Sequence, residues 1–409
     1  MNTRSVCRIS RKDELITVCD FGNHNLCGSF PSSKDEFIPS ASLSLGWSPS
    51  SNLLQLRDIS DISEMYGQNY GYRSGLNNSM VNHLNDKVNY LTKKFYKKDI
   101  SCVLDIGSND GTLLSFYEKK IKRIGVDPTI KKFGKYYDEG IIKVDSFFDA
   151  DTFLKSSGNQ KADIITTISM FYDLPDPAKF VEDISEVLEN EGIWNLEQSY
   201  MPSMLRTNSY DTVCHEHIEY YSLEVIKNLI EKYSLKIIDV VFNKINGGSF
   251  SIIVAHKNSK YESNKIIINW MLAQEHRMGL HTPNPYREFE RKAYLHRSDL
   301  KELIGSICKN KQKVAGYGAS TKGNVILQFC EFSTNELFGI AEINNDKFGK
   351  YTPGSKIPIL SEKDIKSDKP DYMLVLPWHF RENIIKREKE YLKNGGKLIF
   401  PLPEIEIVG

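Results

Sequence analysis

The chain has 409 residues, 40% of them apolar and 26% charged, which is enough to bury two or more cores. Lys plus Arg and Asp plus Glu both total 53, so no basic excess draws in nucleic acid or an anionic membrane through a long-range field. No apolar run approaches the ~20 residues that span a bilayer, the start MNTRSVCRISRKDELITV lacks the apolar core of a secretory signal, and seven scattered cysteines without a CxxC pair read as reduced thiols; the expectation is a multidomain cytoplasmic protein.

Residues 1 to about 60, with turn signals such as FGNHN and FPSSKD, suit a small module of short strands, too small for a strong core of its own. From Asn77 the apolar residues Met80, Leu84, Val88 and Leu91 predict a helix. SCVLDI then reads as a strand, GSNDG as a turn, TLLSFYEKKIK as a helix and RIGVD as a second strand, which together make a βαβ unit. IIKVD, ADIITTIS, the helix FVEDISEVLE and the strand GIWNLEQ extend it into a doubly wound sheet, and LKIIDVVF and GGSFSIIVAHK close it as an antiparallel edge. Residues 260 to 312 read as a helical connector, after which KVAGYGASTKGNVILQFC, LFGIAEIN, DYMLVLPW and KLIFPLP begin a second, smaller α/β domain.

Four segments carry candidate chemistry. In the first, Asp105 ends a strand before Gly107, Asn109 and Gly111, where the missing Cβ atoms let backbone approach a ligand. Asp127 closes the next strand, placed to accept from ribose hydroxyls, and Asp145 closes a third. Acids without GxGxxG spacing suit a ligand with a cationic aminoacyl group and a ribose but no phosphates, which describes S-adenosylmethionine. In the second, Tyr210 to Ser222, the triplet His215, Glu216, His217 follows a predicted strand, where an open sheet places its ligand crevice. An imidazole there can act as a base that the adjacent Glu216 orients, as a carbon methylation needs. HEH lacks the spacing of a zinc HExxH helix; a plain polar loop is the other reading. The third, Tyr66 to His83, holds Tyr70, Tyr72 and Arg73, candidate donors to an enolate oxygen or to a phosphate, or else packing residues. In the fourth, Tyr317, Gly318, Ala319 and Lys322 lie between a strand and a helix, as a structural turn or as a diphosphate site.

Along almost the whole chain the blocks LDIGSNDGTLL, GVDP, DTVCHEHIEYYSL, NGGSFSI, VAGYGASTKGN, KFGKYTPGSKIPI, LPWHF and GGKLIFPLP, in that order, resemble the sugar-nucleotide C-methyltransferases that make branched deoxysugars. The resemblance implies an α/β chain of two Rossmann-like doubly wound domains behind a small β-rich, zinc-type module. The implied ranges are 1–65 for that module, 66–256 for the S-adenosylmethionine-dependent domain, 257–311 for the helical connector and 312–409 for the nucleotide-sugar-binding domain. It implies that His217 is the base, with Glu216 beside it, and that Tyr72, or alternatively Tyr70, is the active-site tyrosine. The family's YHEH tyrosine is Cys214 here, a shorter and poorer donor. The family's two zinc-binding CxxC pairs read Cys7, Arg8, Ile9, Ser10 and Ser48, Pro49, Ser50, Ser51; since hydroxyls do not replace thiolates on zinc, a zinc-free module is expected unless Cys19 or Cys27 substitutes.

The resulting expectation is proton abstraction by His217 from a keto-deoxysugar on a nucleoside diphosphate, giving an enolate that takes the methyl of S-adenosylmethionine. Asp105, Gly107, Asn109, Gly111, Asp127 and Asp145 would hold the donor. Tyr70, Arg73, Cys214, His215, Tyr317, Gly318, Ala319 and Lys322 would hold the sugar nucleotide. The rival readings are an O-methyltransferase and a catalytically silent sugar-nucleotide-binding relative.

Overall fold

Alternating short apolar runs and amphipathic helices build three sheets in the computed structural model, which describes residues 5–58, 72–95 and 100–409. The N-terminal module is a hairpin of β1 (Ile16–Asn25) and β2 (Ser40–Trp47), followed by β3 (Leu54–Leu56). The helix Asn78–Phe95 comes next; it buries Leu84, Val88, Leu91 and Phe95, the face its periodicity predicts.

The central sheet contains β4 (Cys102–Ile106), β5 (Lys122–Val126), β6 (Ile141–Val144), β7 (Ala162–Ile168) and β8 (Leu188–Ser199). After the two-residue β9 (Glu219–Tyr220) come β10 (Leu235–Asn243) and β11 (Ser249–His256). The order is β10-β11-β8-β7-β4-β5-β6, with β4 to β8 mutually parallel and β10 and β11 antiparallel, which is the predicted edge. One expectation fails locally. The predicted helix TLLSFYEKKIK is helical only over Thr112–Ser115, because residues 116–121 continue as turns into β5, whose first residue hydrogen-bonds back to Ser101.

The connector forms the helices Lys265–Arg277 and Asn284–Lys309. The last sheet comprises β12 (Val314–Tyr317), β13 (Ile340–Glu342), β14 (Ile359–Ser361), β15 (Tyr372–Val375), β16 (Lys397–Phe400) and β17 (Glu406–Val408), in the order β14-β13-β12-β15-β16-β17. Only β17 runs antiparallel.

The small module does not core itself alone. Val18, Phe21, Leu43 and Trp47 pack in one apolar cluster with Met204 and Tyr210 of the middle region, Tyr286 and Phe289 of the connector, and Phe329 of the last domain. Its sheet is completed by β9, which pairs with β3 immediately after the HEH triplet. A module with too little apolar surface of its own is thus fixed by its neighbours, and the loop that carries His217 is fixed to the module. Among the described residues no helix is long and apolar enough to cross a membrane.

Candidate active site

The first site lies at the C-terminal ends of β4 and β5, where a parallel sheet leaves its ligand crevice. Gly107 and Gly111 have φ of +72° and +77°, conformations that admit glycine; a Cβ on Gly111 would come within 2.8 Å of the Tyr137 ring. Asp127 holds the turn together by accepting from Asn109 N at 2.8 Å and Thr129 N at 2.6 Å. Asp105 is buried and accepts from Thr166 Oγ1 at 2.5 Å; burial pushes its carboxyl up to about 7 against that bond, and the charge of Asp127 adds to the rise. Two buried carboxylates beneath an open glycine turn are the complement of a cationic, hydroxylated ligand, so these residues fit an aminoacyl nucleoside.

Not every expected residue joins them. Asp145 is exposed and pairs with Lys131 at 3.6 Å. The guanidinium of Arg73 is held by Asp110 at 3.7 Å and stacks on Tyr136, so it serves the donor turn. Tyr72 lies on the same side: its carbonyl accepts from Asn109 Nδ2 at 3.1 Å and its side chain is 46% exposed. Tyr70 falls outside the described residues.

The second site forms around His217. Its Nδ1 lies 2.9 Å from the Thr212 carbonyl oxygen, which can only accept, so Nδ1 carries the proton and Nε2 keeps its lone pair. The edge of Tyr172 packs against the imidazole, with ring centroids 4.3 Å apart. Burial, and after it the charge of Lys322, depress His217 to about 3 against the Thr212 bond, which keeps the ring in its proton-accepting form. The Thr212 carbonyl thus orients the imidazole, in the place expected for Glu216. Adjacent side chains diverge, and Glu216 turns instead toward Gly28, where an added Cβ would fall 2.0 Å from its Oε1.

His215 is also structural, with Nε2 3.2 Å from the Ala41 carbonyl, and Cys214 is buried in the shared apolar cluster. A cavity against His217 is lined by Tyr172, Ser199, Thr212, Glu219 and Tyr220 among others. The cavity is small, about 10 Å³, and the hydroxyls of Ser199 and Tyr220 are buried there without a protein hydrogen-bond partner. Neither was singled out from sequence, although Tyr220 stands in the EYY run after HEH. Also missed was Glu197 at the end of β8, fully buried and bonded to His83 at 2.5 Å and Lys87 at 2.6 Å, which ties the helix Asn78–Phe95 to the sheet.

The last domain closes on this loop. Asp211 Oδ2 accepts from Trp378 Nε1 at 2.8 Å, with both side chains buried. Lys322, in the first turn of the helix Thr321–Phe329, bears electrostatically on Asp211, His217 and His379 together. His379, in the LPWHF block, is pushed down to about 3 by burial and then by Lys322, and its Nδ1 is buried without a partner. Tyr317 does not face the crevice, because its hydroxyl donates to Glu388 at 3.0 Å inside its own domain. Gly318 has φ +81°, and Ala319 is bound at both ends, its N–H to Glu342 at 2.9 Å and its carbonyl from Lys347 at 2.7 Å. The expected turn is therefore fixed by its own hydrogen bonds, and Lys322 is the member whose charge bears on His217. Among the described residues no group of three or more His, Cys, Asp and Glu side chains gathers as a metal site.

Three family models match in succession: a domain named for zinc binding over residues 7–66, a methyltransferase domain over 77–240 and a C-methyltransferase C-terminal domain over 244–403. The C-methyltransferase NovU of Streptomyces niveus is 29% identical over 411 residues, covering 98% of this chain and 96% of that one. Solved structures overlap more loosely. The plantazolicin methyltransferase BpumL with SAH aligns over 43% of this chain and 83% of its own, at 14% identity and TM-score 0.34. An S-adenosylmethionine-dependent methyltransferase from Clostridium acetobutylicum aligns over 43% and 92%, at 13% identity and TM-score 0.32.

Proposed function

Taking as premise that this chain is an S-adenosylmethionine-dependent methyltransferase similar to the C-methyltransferases, we propose that it methylates carbon of a keto-deoxysugar carried on a nucleoside diphosphate, and that it does so in the cytoplasm. The observation that carries this reading is the His217 tautomer. The Thr212 carbonyl holds the Nδ1 proton, which leaves Nε2 as an acceptor on a ring that lines a small cavity, and the charge of Lys322 bears on that ring.

His217 Nε2 takes the proton from the carbon beside the substrate ketone, and the electrons of that C–H bond pass to the ketone oxygen. The hydroxyls of Tyr220 and Ser199 donate to that oxygen, with Tyr72, whose carbonyl is bonded to the donor turn, as the alternative donor. Lys322 and His379 meet the diphosphate. Asp105 and Asp127 hold the methyl donor by its ammonium and ribose, and the bound donor supplies an electrophilic methyl group on a cationic sulfur. Neutralising Lys322 with the diphosphate removes one of the causes that depress His217, so substrate binding strengthens its own base.

The test is proton exchange without chemistry. A nucleoside-diphosphate 4-keto-sugar incubated in D2O with enzyme and no donor should gain deuterium beside the carbonyl, and His217→Gln should abolish the gain while leaving donor affinity intact. Methylation without any such exchange, with turnover surviving in His217→Gln, would point instead to a hydroxyl acceptor.

A further inference from the structure

The module over residues 7–66 matches a domain named for zinc binding, yet its donor atoms do not suit zinc. At the four positions where two pairs of ligands would stand are Cys7, Ser10, Ser48 and Ser51, one thiol and three hydroxyls, and serine hydroxyls do not bind zinc as thiolates do.

The frame of such a site is nonetheless intact. Its two turns repeat one another bond for bond. In the first, Ser10 N donates to Cys7 Sγ at 3.4 Å and Arg11 N to the Cys7 carbonyl at 3.0 Å, with Arg11 left-handed at φ +61°. In the second, Ser51 N donates to Ser48 Oγ at 3.3 Å and Asn52 N to the Ser48 carbonyl at 2.9 Å, with Asn52 left-handed at φ +58°. The turns face each other across Cys7 Sγ and Ser51 Oγ, 3.2 Å apart, and Ser51 Oγ donates on to Ser48 Oγ at 2.9 Å.

A side chain closes the frame. Glu14 Oε1 accepts from Ser48 Oγ at 2.6 Å, from Ser10 Oγ at 2.8 Å and from Ser50 Oγ. The charge logic is inverted relative to a metal: a carboxylate at the solvent-facing edge of the frame gathers hydroxyl donors, where a cation would gather thiolates. What the frame holds is consequential. Arg8, between the two halves of the first turn and fully buried, donates to the carbonyls of Leu56 at 3.0 Å and Ile218 at 3.3 Å and lies 4.0 Å from Glu219, so it clamps the residue after His217.

We propose that the module is a metal-site frame closed by the Glu14 carboxylate and its serine donors, a hydrogen-bonded lock that does the work of a metal and that three hydroxyl-to-thiol changes would turn back into a thiolate site. Cobalt titration of the full chain tests it. The triple variant S10C/S48C/S51C should bind one equivalent of Co2+ with thiolate charge-transfer and tetrahedral d–d absorption, and the native chain should show neither. A chelator should leave the native Tm unmoved, and Glu14→Gln should lower it by several degrees. One equivalent of tightly held zinc in the native protein, a chelator-induced drop in its Tm, or an unchanged Tm in Glu14→Gln would each overturn the proposal. So would a folded triple variant without cobalt absorption.

Discussion

Trp378→Phe removes one hydrogen bond and keeps most of a ring, which makes it a sharp test of how the last domain is held to the loop that carries His217. The indole donates to a buried carboxylate, Asp211, at 2.8 Å, and the other Asp211 oxygen has no partner. A hydrogen bond to a charged group contributes about 1.5–3 kcal/mol, and losing the donor also strands a buried acceptor. At about 1.4 kcal/mol per factor of ten, the KM for the sugar nucleotide should rise about 10- to 150-fold if binding requires the closed arrangement, with kcat less affected. A pH series gives the sign. Asp211 is raised by burial and held back by Lys322 and then by Trp378, so without the indole its carboxyl climbs further. The penalty of the substitution is therefore largest at high pH, where the native carboxylate is ionised, and fades as pH falls through the native pKa. A double-mutant cycle with Asp211→Ala isolates the pair; a coupling within about 0.5 kcal/mol of zero, the range of independent sites, would refute the argument.

Three further predictions concern other parts of the site. Asp105 has an ordinary value of 3.8 and is pushed up to about 7 in the fold, so between those values the native state binds more protons and stability falls as pH rises; ligand-free Asp105→Asn should therefore gain in Tm over the native protein at pH 8 relative to pH 5, while binding the donor at least tenfold more weakly, and a gap independent of pH would count against it. Lys322→Met should raise the His217 titration seen by NMR above about 3 yet leave it below 6.5, because burial is the larger cause; an unmoved resonance would separate the two residues. Gly28→Ala should push the Glu216 carboxylate from its place, since the new Cβ would lie 2.0 Å from Oε1, yet leave turnover within a few-fold of native, because the Thr212 carbonyl still holds His217; a tenfold or greater loss with donor affinity unchanged would show that Glu216 also acts on His217.

What could be read from the chain follows the range of the interactions. The βαβ units and the antiparallel edge are written in local apolar runs, and the acid-glycine turn is written in five consecutive residues, so both were legible. The Asp211–Trp378 bond spans 167 residues and joins two segments whose local patterns say nothing of each other. β9 is two residues long and has no periodicity to detect, yet it attaches the loop that carries His217 to the N-terminal sheet. Glu216 beside His217 read naturally as its orienter, but sequence adjacency places the two side chains apart, and a backbone carbonyl, invisible to motif reading, holds the imidazole. Tyr317 failed for a similar reason: its partner Glu388 lies 71 residues on and draws the hydroxyl away from the crevice.

The same contacts explain why missing zinc ligands do not argue for a silent protein. Four links run from the N-terminal module to the loop 214–220: Arg8 to the Ile218 carbonyl, the Ala41 carbonyl to His215, Gly28 to Glu216, and β3 to β9. Each needs the module folded, and none needs a metal. If the module matters because it holds that loop, then any device that keeps the two turns at Cys7 and Ser48 face to face is sufficient, and a carboxylate with three hydroxyl donors is such a device. Activity should accordingly track the integrity of the Glu14 cluster and be indifferent to chelators.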